Sequence, residues 1–263
     1  MKRDASTVPD GPEKAPGARR TRRRLLRVLL PLLLVLLLGI CAIYLADGYP
    51  ADRTAIDAYP ISRPVTERTL EDGSLSFGDG TEDCGLIFYP GGKVDHAAYT
   101  PLMRELAQNG VFCVVCKMPF RLAVLDKNAA DGIREAYPAV RRWYLGGHSL
   151  GGVIAASYLS GHPEDFDGLI LLAAYANDDL SACSAAALCI RGSEDGVLDR
   201  ERYEAAKSRL PAGWKELVIR GGCHAGFGMY GPQSGDGVPS INSAEQIRQT
   251  AAAILELIRE RGE

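Results

Sequence analysis

Eighteen consecutive uncharged residues, half of them leucine, fill positions 28–45, and this run divides the chain. As a helix it would be roughly 27 Å long, close to the thickness of a bilayer's hydrocarbon core. Leu25 and Leu26 extend it if Arg27 snorkels to the headgroups. Pro31 falls in the first turns, where a missing N–H costs least. Arg19, Arg20, Arg22, Arg23 and Arg24 lie just before the run, a flank that a buried core helix would not need. A cleaved secretory signal competes with an anchor here, but its apolar core is shorter, about 7–15 residues, and ends in small residues. Ala46-Asp47-Gly48-Tyr49 makes a poor cleavage site, and Ile40 before Cys41 speaks against a lipoprotein signal. The expected organisation is a disordered basic cytoplasmic tail over 1–24, a transmembrane signal anchor over 25–46, a linker over 47–61 and a globular domain over 62–263. The positive-inside rule then keeps the arginines in the cytoplasm and puts the globular domain outside the cell membrane.

The net charge of −3 hides the asymmetry that this organisation explains. Residues 1–27 carry nine Lys/Arg and three Asp/Glu, leaving 21 basic and 30 acidic residues for the rest. An acidic folded part disfavours nucleic acid as a partner. Of seven cysteines, Cys41 sits in the apolar run and six fall in a compartment that permits disulfides. Cys113 and Cys116 lie in an apolar stretch; in a strand their α-carbons would be about 10 Å apart, too far to bridge. They read as small buried hydrophobes, whereas Cys183 and Cys189 are spaced to close a short loop. With no second Cys-x-x-Cys, the chain offers no zinc site.

Beyond residue 62, short apolar runs alternate with helical patterns. Residues 65–67 and 75–77 flank an Asp72-Gly73 turn and read as an edge hairpin. Strands are expected at 84–89, 111–116, 143–147, 168–173, 187–191 and 215–220. Helices are expected around Tyr99 to Leu106, over 129–137 and 150–160, from an Asp199 cap to Leu210, and at the C-terminus behind a Ser243/Gln246 capping box. That order implies an α/β fold with a mostly parallel sheet covered by helices on both faces, whose reacting groups sit beyond the carboxyl ends of strands.

Gly147-His148-Ser149-Leu150-Gly151 falls at such a junction. A G-x-S-x-G between a strand and a helix lifts the serine hydroxyl above the sheet, making Ser149 the candidate nucleophile. A serine needs a base. Of His96, His148, His162 and His224, only His224 follows the last strand, where the Ser–acid–His order of such folds requires it. Asp195, beyond the preceding strand, is the candidate acid; Glu194 and Asp199 are rivals, with Asp199 better explained as a helix cap. The oxyanion needs preorganised N–H donors. These are assigned to Leu150, which follows the nucleophile, and to Gly92 in the Pro90-Gly91-Gly92 loop, with Lys93 as second choice. Lys93 and Tyr230 are also the candidate substrate-binding residues. This chemistry calls for no cofactor and no metal.

Tyr-Pro-Gly-Gly-Lys-Val (89–94), Gly-Gly-His-Ser-Leu-Gly-Gly (146–152) and the Gly-x-x-His-Ala-x-Phe-Gly block (221–228) together resemble the α/β-hydrolase superfamily, in particular its small lid-less bacterial serine hydrolases. The likeness runs from about residue 75 to 258. It implies a serine-hydrolase fold and mechanism without fixing a substrate. Cys223 departs from the pattern, since such relatives are expected to carry Asn before the base. Only 46 positions separate Ser149 from Asp195, leaving no room for a helical cap. The cleft is therefore expected to be open, roofed at most by residues 225–240, which include Tyr230, Gln233 and Asp236 and read equally as a closing segment or a plain surface loop. The leading expectation is a membrane-anchored extracytoplasmic carboxylic ester hydrolase acting on a small acyl substrate. Acyl transfer, thioester or peptide cleavage and lactone opening use the same residues. A catalytically silent binding module is the alternative of a different class.

Overall fold

The computed structural model describes residues 17–262, which divide into two units between Asp47 and Gly48. The first is one helix, α1 (Gly17–Ala46), with Pro31 inside it. Over Leu25–Tyr44 its mean hydropathy is 2.7 and none of it is buried. That span is long and apolar enough to cross a membrane. Residues 1–16 of the expected tail lie outside the described residues, and from Gly17 the backbone is already helical.

The second unit begins before the expected domain boundary. Tyr49 pairs with Val94 in an isolated parallel bridge, and Asp52 caps α2 (Arg53–Asp57) by accepting the Ala55 N–H. That turn places Ile56 and Tyr59 in the core, so the segment expected as a linker belongs to the domain from Tyr49 on. Two apolar residues three apart behind a cap are enough to dock it.

The hairpin pairs β1 (Glu67–Thr69) with β2 (Leu75–Phe77), its first strand starting two residues later than expected. In the turn, Asp72 accepts both the backbone N–H and the hydroxyl of Ser74. Then follow β3 (Cys84–Tyr89), α3 (Thr100–Ala107), β4 (Val111–Val115), α4 (Ile133–Ala136) and β5 (Arg142–His148). The expected helix over 129–137 shrinks to the four residues of α4. Gly132 is left-handed at φ 75°, and backbone groups upstream serve Tyr89 instead: its hydroxyl donates to the Lys127 carbonyl and accepts the Ala130 N–H.

The chain continues through α5 (Leu150–Gly161), β6 (Gly168–Leu172), β7 (Ala186–Gly192), α6 (Arg200–Ala206), β8 (Lys215–Ile219) and α7 (Ser243–Glu260). No helix stands between β6 and β7, so among the described residues there is no helical cap there. Asp199 caps α6 through the Arg202 N–H. The N-cap of α7 is Asn242 rather than Ser243, and Gln246 turns elsewhere.

The strands lie in the order β1-β2-β4-β3-β5-β6-β7-β8, parallel from β4 onward. One face, with Leu86, Phe88 and Val115, packs on Leu102 of α3 and Ile254 of α7; the other, with Ile87, Val114 and Leu145, packs on Ala155 and Leu159 of α5. The chain leaves β3 toward one edge and returns past it to β5. Ligand crevices in open α/β sheets lie at such a reversal, beyond the strands' carboxyl ends. All seven cysteines are free thiols, with Cys113 and Cys116 buried and the Cys183–Cys189 loop not closed.

Candidate active site

β5 ends at His148 and α5 begins at Leu150, so Ser149 alone makes the turn, at φ 52° and ψ −126°. Positive φ is strained for a residue with a Cβ and persists only where the surroundings enforce it. Here they do. Ser149 donates its N–H to the Leu172 carbonyl at 2.9 Å and accepts from Val153 at 3.1 Å. A Cβ on Gly147 would stand 2.6 Å from the Gly151 backbone, and one on Gly151 only 2.2 Å from the Pro90 carbonyl oxygen. The glycines are what let strand, helix and the loop after β3 meet.

His224 and Asp195 come from the loops after β8 and β7. The His224 Nδ1 lies 3.0 Å from Oδ2 and 3.1 Å from Oδ1 of Asp195, and both side chains are almost wholly buried. Asp195 Oδ1 also accepts the N–H groups of Val197 (2.9 Å) and Leu198 (2.8 Å). Burial pushes its carboxyl up, but the hydrogen bond and charge of His224, with the two N–H donors, hold it below the ordinary carboxylate value. An ionised acceptor on Nδ1 fixes the tautomer, directing the imidazole's lone pair to Nε2. That Nε2 is buried and makes no hydrogen bond among the described residues. The Ser149–His224 contact is therefore not closed, although both residues line one cavity of about 330 Å³. Larger hollows of about 380 and 400 Å³, beside Asp83 and Lys215, lie at the amino ends of the strands, away from this chemistry.

In the loop after β3 the candidate oxyanion donors differ in what their N–H groups reach. The Gly91 N–H goes to the Tyr99 hydroxyl at 2.9 Å and that of Lys93 to the Arg121 carbonyl at 2.8 Å. Lys93, the second choice, is thus committed. The N–H groups of Gly92 and Leu150 have no acceptor among the described residues, and a Cβ on Gly92 would lie 3.2 Å from the Leu150 side chain. Two residues from different loops with uncommitted N–H groups therefore meet near the N-terminus of α5, where the helix dipole favours negative charge.

A family model described as "Alpha/beta hydrolase family" matches residues 85–248. The chain belongs to the alpha/beta hydrolase family. Solved structures of similar fold include a predicted CIB-like hydrolase from Thermoplasma acidophilum (16% identity, TM-score 0.53, covering 73% of this chain and 99% of that one). Est1E from Butyrivibrio proteoclasticus matches at 12% identity and TM-score 0.53, over 75% and 100% of the two chains. TT1662 from Thermus thermophilus matches at 14% and 0.55, over 76% and 98%. At such identities the likeness speaks to fold alone. No curated protein matches in sequence.

Within this alpha/beta hydrolase, the two candidate substrate-binding residues stand apart from the cavity. Neither Lys93 nor Tyr230 is among its lining residues. Tyr230 is buried, donating its hydroxyl to Gln233 Oε1 at 3.0 Å with its ring 5.6 Å from that of Tyr49. Hydrolase residues that do face the space include Val153, Ala174, Tyr175, Asn177, Val197 and Arg202. Apart from Val153 in α5, they lie after β6 and around the start of α6, where no motif marks them.

Two supports were also invisible in the sequence. The Tyr99 hydroxyl, having accepted from Gly91, lies 2.8 Å from His148 Nδ1, and the His148 ring is 4.6 Å from that of His224. Burial, then the nearby charge of His224, holds His148 well below the usual histidine value, so a neutral imidazole packs against the candidate base. Gln246 accepts the Cys223 N–H at 3.0 Å and donates to the Cys223 carbonyl at 2.8 Å, gripping the residue before His224 from α7. It fits a capping-box pattern by spacing, but its amide is taken by this contact.

Proposed function

We propose that the chain is a membrane-anchored, extracytoplasmic serine hydrolase that cleaves carboxylic esters of small-molecule acyl substrates through an acyl-enzyme on Ser149. The observation that carries this reading is the buried Asp195–His224 pair, whose uncommitted Nε2 shares a cavity with a serine held at a left-handed turn. In the reaction, His224 Nε2 takes the Ser149 proton as Oγ attacks the ester carbonyl. The N–H groups of Gly92 and Leu150 receive the oxyanion, each contributing roughly 3–4 kcal/mol to barrier lowering. The imidazolium, stabilised by Asp195, protonates the departing alkoxide. Water then attacks the acyl-enzyme with His224 again as base, releasing the acid and restoring the serine.

Anchoring is supported by the apolar span Leu25–Tyr44 of α1 and by the arginines that precede this span. The full chain should resist alkaline carbonate extraction from membranes; release into the soluble fraction would contradict the anchor. For the chemistry, purified full chain in detergent should hydrolyse p-nitrophenyl esters, and Ser149→Ala should lower kcat by about 10⁶-fold. Retained turnover in that variant would show that the nucleophile is another residue.

A further inference from the structure

Strand pairing holds the acid and base loops together only as far as the Glu194 N–H, which reaches the Gly222 carbonyl at 2.8 Å. Beyond that point a third segment takes over. Asp236 Oδ1 accepts the N–H groups of His224 (3.0 Å), Gly196 (3.2 Å) and Gly237 (2.9 Å), and its Oδ2 accepts that of Ala225 (2.8 Å). One carboxylate thus grips the backbone of the candidate base and of the residue following the candidate acid.

We propose that Asp236 is a positioning residue for the ester-cleaving reaction, a bracket that sets the separation of Asp195 and His224. A carboxylate suits this role because both of its oxygens accept, here three N–H groups on Oδ1 and one on Oδ2. The surrounding glycines fit the same reading. A Cβ on Gly196 would lie 2.5 Å from the Gly235 carbonyl oxygen, and one on Gly237 only 1.9 Å from that of Glu194. Gly235 itself is left-handed at φ 83°. Gly235-Asp236-Gly237 is therefore pressed against the acid loop by backbone contact, and the carboxylate reaches from there to the base. The segment that read as either a closing roof or a plain loop acts as a strut between the two halves of the proton-transfer pair. Asp236 acts through the backbone of His224 and does not touch the reacting atoms.

The inference rests on the triad reading, so its test includes a signal that needs no turnover. In the full chain, the low-field proton resonance of the His224 Nδ1–H bonded to Asp195 should be present in the wild type and lost in Asp236→Ala. In that variant kcat should fall about 100-fold while KM changes by less than about threefold, as expected for misplaced catalytic groups. Asp236→Asn keeps one acceptor oxygen, enough for two of the three donors at Oδ1, and sets its NH₂ against the Ala225 N–H; its kcat should fall between the wild type and Asp236→Ala, with a weakened resonance. Gly237→Ala leaves the carboxylate in place but lifts the strut from the acid loop; it should reproduce the Asp236→Ala loss in both readouts. A folded Asp236→Ala enzyme with unchanged kcat and an unchanged resonance would overturn the bracket. Should that variant not fold, an unaltered Gly237→Ala enzyme would do the same. Full turnover in Ser149→Ala would instead refute the triad and leave the resonance test standing.

Discussion

The nucleophile and the base rest on different kinds of support. Ser149 follows β5, which lies between β3 and β6 and is buried along nearly all its length. Its turn is enforced by exclusion, because glycines at 147, 151 and 152 let backbone approach where no Cβ would fit. His224 follows β8, an edge strand that pairs with β7 alone among the described residues and is largely exposed. Its loop is held by hydrogen bonds that it donates to Asp195, Asp236 and Gln246. Close packing cannot be relaxed without displacing the strand, whereas hydrogen-bonded loops can shift by fractions of an ångström and stay folded. Damage at the elbow should therefore appear as lost stability. Damage to the hydrogen bonds around the base should appear chiefly as lost turnover in an enzyme that still folds.

The sharpest break of this contrast is Asp195→Asn. It should leave the fold intact and lower ester kcat by about 10⁴-fold, because the amide favours the wrong imidazole tautomer. Gly151→Ala tests the other side: it should destabilise the domain by about 3 kcal/mol in thermal or urea unfolding, since its Cβ meets the Tyr89 and Pro90 carbonyls. Gln246→Ala removes two buried hydrogen bonds to Cys223 and should cost about 2 kcal/mol, with kcat reduced roughly tenfold.

A smaller effect follows from His148, whose folded-state value lies far below that of the unfolded chain. Below the ordinary histidine value near 6.5 the unfolded state takes up a proton that the buried ring refuses. Stability is thus fully present above about pH 6.5 and falls by up to about 1.4 kcal/mol per pH unit below it. His148→Gln should flatten that slope in unfolding measured between pH 7.5 and 5. The smallest effect belongs to Asp199→Ala, which loses the α6 cap at about 1 kcal/mol and changes kcat by less than about tenfold, separating this rival carboxylate from Asp195.

The same contrast explains what was legible in the sequence. Apolar runs bounded by turn residues located the strands, with 84–89 read to the residue as β3. The elbow was legible because its requirement is local: small residues at fixed offsets around one serine. The supports of the base are not local. Asp236 and Gln246 lie 12 and 22 positions beyond His224 and act on backbone groups, so no spacing rule points to them. The same holds for Tyr99, whose hydroxyl joins the loop after β3 to the elbow across 49 residues. The choice between Gly92 and Lys93 also needed coordinates, since only the Arg121 carbonyl shows which N–H is occupied. Local propensity misled where distant groups compete for the backbone, as Tyr89 does in the stretch before α4.

If His224 is what makes Ser149 nucleophilic, the dependence can be read from fluorophosphonate labelling of the full chain followed by peptide mass spectrometry. One adduct is expected, on Ser149, forming at a rate that drops at least about 10³-fold in His224→Ala. An adduct on another residue, or labelling of Ser149 at an unchanged rate without the imidazole, would contradict it.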